Sequence, residues 1–156
     1  MTEPLALQLQ DLAYELPDSR VRIGDIRLRQ KPDELTYTEP RCHGVWSLGI
    51  HSEPTNWGNG YGTSAMVAML DVAFRLENAQ RVEGHIALGN AAALRCAQKA
   101  GRRWEGVSRQ RWWRNGEWLD VMTVGTVHTE YERLWGDSEP HWNFDELRQT
   151  LTSRCE

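Results

Sequence analysis

The string Trp57-Gly58-Asn59-Gly60-Tyr61-Gly62-Thr63-Ser64-Ala65 sets glycine at three alternate positions directly ahead of a segment with helical periodicity. Glycine opens backbone conformations closed to other residues. The first N–H groups of a helix have no partner within it and carry the positive end of its dipole. Together these features describe a cradle for an anion; a flexible turn is the alternative that the glycines alone leave open. Two familiar phosphate loops do not fit. A P-loop requires Lys before its Ser or Thr, and here Gly62 precedes Thr63. A dinucleotide fingerprint spaces its last two glycines three apart after a parallel strand, whereas these run two apart and follow a meander.

Asn90 lies between a strand-like run and an alanine-rich helical one, where it would cap the helix and present an amide at the strand's exit. His51 and His85 are potential bases near neutral pH, although a lone strand histidine is more often only hydrogen-bonded. No Ser/His/Asp set is legible. The five histidines, at 43, 51, 85, 128 and 141, show no i,i+4 pair or other ligand spacing, so no metal site is expected. Arg102, Arg103, Arg109, Arg111 and Arg114 interleave with Trp104, Trp112 and Trp113. That mixture could stack on single-stranded nucleic acid, but strand alternation alone puts arginine stems over tryptophan rings on a solvated sheet, and this is the preferred reading.

These residues need elements to hold them. Leu5, Leu7 and Leu9, then Leu12 to Leu16, have the period of a half-buried strand, and Pro17-Asp18-Ser19 reads as a turn. Val21 and Ile23 alternate, but Ile26 and Leu28 continue one position out of phase, which a bulge at Gly24 explains. Lys31 to Arg41 is loop-like, and Val45 to Ile50 is a short strand, so the first third is an antiparallel meander. Ser64 to Leu76 spaces Met66, Met69, Leu70, Ala73 and Phe74 as a helix, with Asp71 and Arg75 on its other face. Val82, Gly84, Ile86 and Leu88 alternate as a strand. Asn90 opens a second helix that stops at Gly101. Trp104 to Trp113 and Trp118 to Val127 flank Asn115-Gly116, a strong hairpin signal. Beyond Tyr131 the chain turns polar, and Asn143 with Glu146 marks a short helix carrying Phe144, Leu147 and Leu151. The fold class is α+β: a mixed sheet built from a meander, a central β-α-β-α unit and a closing hairpin.

At 156 residues the chain suits one domain, here residues 1–131, with 132–156 as a tail. A net charge of −4 argues against a surface devoted to nucleic acid. Cys42, Cys96 and Cys155 lack the even count of a disulfide framework and the spacing of a zinc site. No apolar run reaches the roughly 18 residues of a membrane span, and Asp11, Glu15 and Asp18 interrupt the place of a signal peptide; a cytoplasmic location is the expectation.

Taken in order, the meander, the Trp57–Ala65 string, Asn90-Ala91-Ala92-Ala93-Leu94-Arg95, Lys99-Ala100-Gly101, Glu105-Gly106 and Gly116-Glu117-Trp118-Leu119-Asp120 resemble the GNAT superfamily of acyl-CoA-dependent N-acetyltransferases. The closest branch is the Rim type, which includes the ribosomal-protein N-terminal acetyltransferases; the likeness runs over about residues 5 to 131. The resemblance implies that Gly58, Asn59, Gly60, Tyr61, Gly62 and Thr63 hold the pyrophosphate of coenzyme A through backbone N–H groups, with Trp57 also among the cofactor-binding residues. It also implies that the strand carrying Leu48, Gly49 and Ile50 splays from the next parallel strand to admit the pantetheine arm, with Asn90 near the thiol. Acetyl-CoA is the implied co-substrate and a protein N-terminus or small-molecule amine the acceptor, attacking the thioester directly.

The chain departs from the family's pattern at several points. Ser47 stands near the usual strand glutamate, Val124 near the usual tyrosine, Ser64 in place of the usual glutamate, and Arg102 where phenylalanine commonly follows the glycine. No base is assigned from the sequence, although His51 and Glu53 lie just past the strand. The family's first strand and helices have no counterpart at the start, which leads us to expect a homodimer or a partner protein completing the acceptor groove. A non-catalytic acetyl-CoA-binding or interaction module is the alternative to an active enzyme.

Overall fold

A computed structural model describes residues 9–15, 22–30, 44–52, 57–140 and 145. Three strands come first among the described residues: β1 (Leu9–Glu15), β2 (Arg22–Gln30) and β3 (Val45–Ser52). Helix α1 (Tyr61–Asp71) runs into a wider turn of π geometry over Val72–Leu76. Then come β4 (Arg81–Ala87), α2 (Ala91–Lys99), β5 (Arg103–Arg114), β6 (Glu117–Val127) and α3 (His128–Trp135). The strands form one six-stranded sheet in the order β1-β2-β3-β4-β6-β5. Only β3 and β4 run parallel; every other neighbouring pair is antiparallel.

The expected α+β architecture, with its meander, central unit and hairpin, is therefore the observed one. Its local signals have physical counterparts. On the β1 side, Tyr14 faces Gly24 but Glu15 faces Arg22, so one extra residue sits on β2 at the place where the hydrophobic phase slips. Asn115 and Gly116 both take positive φ, 51° and 81°, as a two-residue hairpin turn matching the strand twist requires. In β4 the buried positions are Val82, Gly84 and Ile86, alternating with half-exposed ones. They face a core built on Met66, Met69, Leu70, Phe74 and Leu28.

Two expectations need correction. Asp71 does not sit with Arg75 on a solvent-facing side of α1: it is fully buried, because α3 covers that side. The Tyr131 hydroxyl donates to the Asp71 carboxylate and accepts from Arg75 Nε at 2.6 Å. Arg75 Nη2 also donates to the carbonyls of Trp135 (2.7 Å) and Ser138 (2.8 Å). Burial and the neighbouring carboxylate push the Tyr131 hydroxyl's pKa up, so it stays a donor. The boundary drawn between 131 and 132 falls inside α3, whose Tyr131 and Trp135 pack on the core. The helix expected over Asn143 to Leu151 lies outside the described residues, apart from Asp145, which is helical. The loop over Lys31 to Arg41 lies outside them too, as do Glu53, Cys42 and Cys155. Among the described residues, no helix is long and apolar enough to cross a membrane.

Candidate functional site

Between β3 and β4 the sheet is split. Their register pairs Val45 with Arg81, Trp46 with Val82 and Ser47 with Glu83, and there it stops, although the strands continue to Ser52 and Ala87. On their outer sides both strands stay fully paired: β3 with β2 as far as Ser52 with Gly24, and β4 with β6 as far as Ala87 with Val121. The separation is thus confined to the inner edges. It leaves two facing rows of backbone donors and acceptors without their ladder partners, groups that demand partners of some kind. A cavity of about 200 Å³ occupies the split, lined by Leu48, Gly49 and Ile50 from β3, Gly84 to Ala87 from β4, and Asn90, Arg102 and Trp112 among others.

Helix α1 begins at one end of this split. Its N-cap is Gly60 at φ 79°, no side chain caps it, and its first turn holds no acid. Gly58 has φ 82°, and a Cβ at either glycine would meet no described residue within 4 Å. Among the described residues, no side chain caps the N–H groups of Tyr61, Gly62 and Thr63 and no acid in the first turn offsets the helix dipole. The donor set fits a phosphate or pyrophosphate. Trp57 projects beside it, 64 % exposed. Inside, Gly62 lies against α2: a Cβ there would come within 3.3 Å of Cys96 Sγ.

Asn90 does what its position predicts, its Oδ1 accepting from the Ala93 N–H at 3.1 Å, while it also lines the cavity. The structure thus gathers Leu48, Gly49, Ile50 and Asn90 around one space. Trp57, Gly58, Asn59, Gly60, Tyr61, Gly62 and Thr63 stand at the α1 terminus, with Met66 of the same helix in the cavity wall. His51 is exposed near the end of β3 and does not line the cavity.

On the hairpin side the wall is polar and cationic. His85 Nδ1 lies 3.3 Å from Thr123 Oγ1, and its Nε2 lies 3.5 Å from Arg111 Nη2 and 3.8 Å from Glu83 Oε1. Trp112 and Arg114 complete that side, the guanidinium stacked 4.5 Å above the indole. Strand β5 bulges here: its register with β6 slips between Ser108 and Trp112, Gln110 takes φ 47°, and the Gln110 N–H donates to Asp120 Oδ1 at 2.8 Å. A broader depression of about 610 Å³ beside the bulge touches only Arg109, Gln110 and Asp120. It is a surface hollow, so the split seam is the site. Sequence reasoning missed Arg102, Gly84 and Trp112 as wall residues; the one signal at hand was the arginine standing where an apolar residue was expected. Among the described residues, no group of three or more His, Cys, Asp or Glu could hold a metal ion.

Comparisons with known proteins agree with this geometry. The family model described as an acetyltransferase (GNAT) domain matches residues 5–103. The probable N-acetyltransferase YjcK of Bacillus subtilis is 25 % identical, the match covering 84 % of this chain and 83 % of that one. Among solved structures, a GNAT-family acetyltransferase from Bacillus anthracis superposes with a TM-score of 0.67 at 20 % identity, over 77 % of this chain and 67 % of that one. The spermidine N-acetyltransferase of Vibrio cholerae in complex with CoA and spermine gives 0.61 at 23 % identity, over 72 % and 62 %. At such identities the structural likeness speaks for the fold.

Proposed function

Because the chain belongs to the GNAT acetyltransferase family, we propose that its split seam binds acetyl-CoA and transfers the acyl group to a primary amine held on the hairpin side. The observation that carries this reading is the ladder that ends at Ser47 and Glu83 while both strands run on. When bound, the co-substrate supplies a thioester, an acyl carbon already activated toward amines.

The protein's part follows from its geometry. The N–H groups of Tyr61, Gly62 and Thr63 hold the pyrophosphate at the α1 terminus, beside Gly58, Asn59 and Gly60. The inner edges at Leu48, Gly49 and Ile50 bond the amides of the pantetheine arm as an added strand would. Asn90 stands near the thiol. His85, in the seam wall between Thr123, Arg111 and Glu83, is the group placed to take the proton that an ammonium must lose before it attacks. The amine nitrogen then forms the C–N bond, the C–S bond breaks with its electron pair leaving on sulfur, and the second proton that the nitrogen sheds on becoming an amide goes to that thiolate.

The acceptor belongs to the Rim-type range, an N-terminal or similar amine set among acidic residues, rather than a polyamine. Arg109, Arg111 and Arg114 crowd the hairpin beside the seam, against Glu117 and the already engaged Asp120. A polycation brought there meets like charge. A homodimer completing the acceptor groove is part of the same proposal, supported by the exposed Trp104, Trp113 and Trp118 on the hairpin. Thiol release from acetyl-CoA, measured against acidic peptides and against spermidine, tests the reading. Turnover with peptide amines and little with spermidine is expected. A folded chain that binds acetyl-CoA but turns over no amine would instead be a non-catalytic binding module.

A further inference from the structure

The guanidinium of Arg102 lies at the closed end of the seam without a carboxylate partner. The residue follows Gly101, the left-handed glycine just past the end of α2, and is only 4 % exposed. Its Nη2 donates to the Val82 carbonyl at 3.2 Å, and its buried Nε has no partner. Gly84 makes the room: a Cβ there would come within 3.0 Å of both Arg102 Nη1 and the Leu48 carbonyl. The nearby charges are matched to one another. Arg81 bonds Glu105 at 2.5 and 2.6 Å and Glu83 at 3.3 Å, and none of the three forms an ion pair with Arg102. Burial first, then repulsion from Arg81, lowers the Arg102 pKa to about 10, which still leaves a cation at neutral pH.

A buried cation of this kind calls for an anion, and a guanidinium calls for one that accepts from two N–H groups at once. Arg102 lines the cavity at Leu48 and Gly84, where the strands close on each other. Under the reading of the seam given above, on which this step rests, that is where the far end of the acyl group arrives. An acetyl methyl would leave Nε unpaired. We propose that Arg102 selects an acyl group bearing its own carboxylate, so that the preferred donor is a dicarboxylic acyl-CoA of the succinyl or malonyl class. The transfer is otherwise unchanged: the C–N bond forms, the C–S bond breaks, the ammonium proton is released, and the product amide carries a free carboxylate.

Calorimetric titration of the full chain with succinyl-CoA, malonyl-CoA, acetyl-CoA and desulfo-CoA tests this without an acceptor. One carboxylated donor should bind about 30-fold tighter than acetyl-CoA, the scale of a buried charge-assisted pair. In Arg102→Met, checked for folding by circular dichroism, that ratio should fall close to one. Equal binding by the wild-type chain, or a preference that survives in Arg102→Met, overturns the proposal. The wild-type comparison stands even if the variant does not fold. Should desulfo-CoA itself fail to bind the folded wild-type chain, the reading of the seam fails and the proposal falls with it. Binding of desulfo-CoA with no preference between acyl groups removes the Arg102 proposal alone.

Discussion

The two helices packed beside the split start in opposite ways. Helix α2 is finished by its own chain: Asn90 Oδ1 takes the Ala93 N–H, and the residue belongs to the N-cap types that local chemistry favours. Helix α1 starts at a left-handed glycine with no side-chain cap and no acid in its first turn. An isolated helix with such a start would fray. Here the far end of α1 compensates, because Asp71 and Arg75 are tied to Tyr131 and to carbonyls of Trp135 and Ser138. The contrast teaches that donors left open on one helix and closed on its neighbour mark where the fold expects an anion from outside.

That contrast can be broken most severely at Gly60. With a φ of 79° and no described residue within 4 Å of a Cβ there, Gly60→Leu should cost the fold only about 1–2 kcal/mol of left-handed strain. The side chain would nonetheless fill the approach to the helix terminus, and CoA affinity should drop by about 100-fold or more, close to 2.7 kcal/mol. Isothermal titration beside a thermal melt separates the two effects. Breaking the anchor at the other end comes next. Tyr131→Phe leaves the buried Asp71 carboxylate short of a donor, and chemical denaturation should show a loss of about 1–3 kcal/mol.

Closing the open terminus sharpens the comparison instead. Thr63→Glu puts an acid into the first turn of α1, which should stabilise the free protein by about 0.3–1 kcal/mol while weakening CoA by about tenfold through repulsion of its phosphates. Opening the closed one is the reciprocal change. Asn90→Ala should cost about 1 kcal/mol of stability. The smallest effect lies away from both termini. Hydrogen bonding from Arg81 holds the Glu105 carboxyl below its ordinary value of 4.5, so the pair stabilises the fold above that value and the gain is lost as pH falls through the lower, folded-state one. Denaturation between neutral pH and pH 3 should show an acid loss that Glu105→Gln reduces.

What the sequence made legible was local. The glycine run against a helical period, the Asn90 cap, the out-of-phase step near Gly24 and the Asn115-Gly116 turn each show in a few consecutive residues, and the structure has them where they were expected. What it hid depends on residues far apart. The end of the β3–β4 ladder has no signature in either strand, since Leu48 to Ile50 and Gly84 to Ala87 read as ordinary alternation. Helix α3 follows β6 with no glycine or proline between them, and its β-prone start masks the spacing of Tyr131, Leu134 and Trp135. Asp71 read as solvent-facing because its cover comes from 60 residues on. Arg102 was visible as an oddity, but its burial beside Gly84 needed the fold.

The central claim is that the α1 terminus and the inner edges of the seam together hold coenzyme A. Amide NMR during titration with desulfo-CoA tests it most directly, because the groups invoked are backbone N–H groups. The account predicts that the largest shifts fall on Gly58 to Thr63 and on Gly49 and Ile50, with the α3 amides unmoved. Shifts confined to other surfaces, or no saturable shift at millimolar ligand from a folded chain, would contradict it.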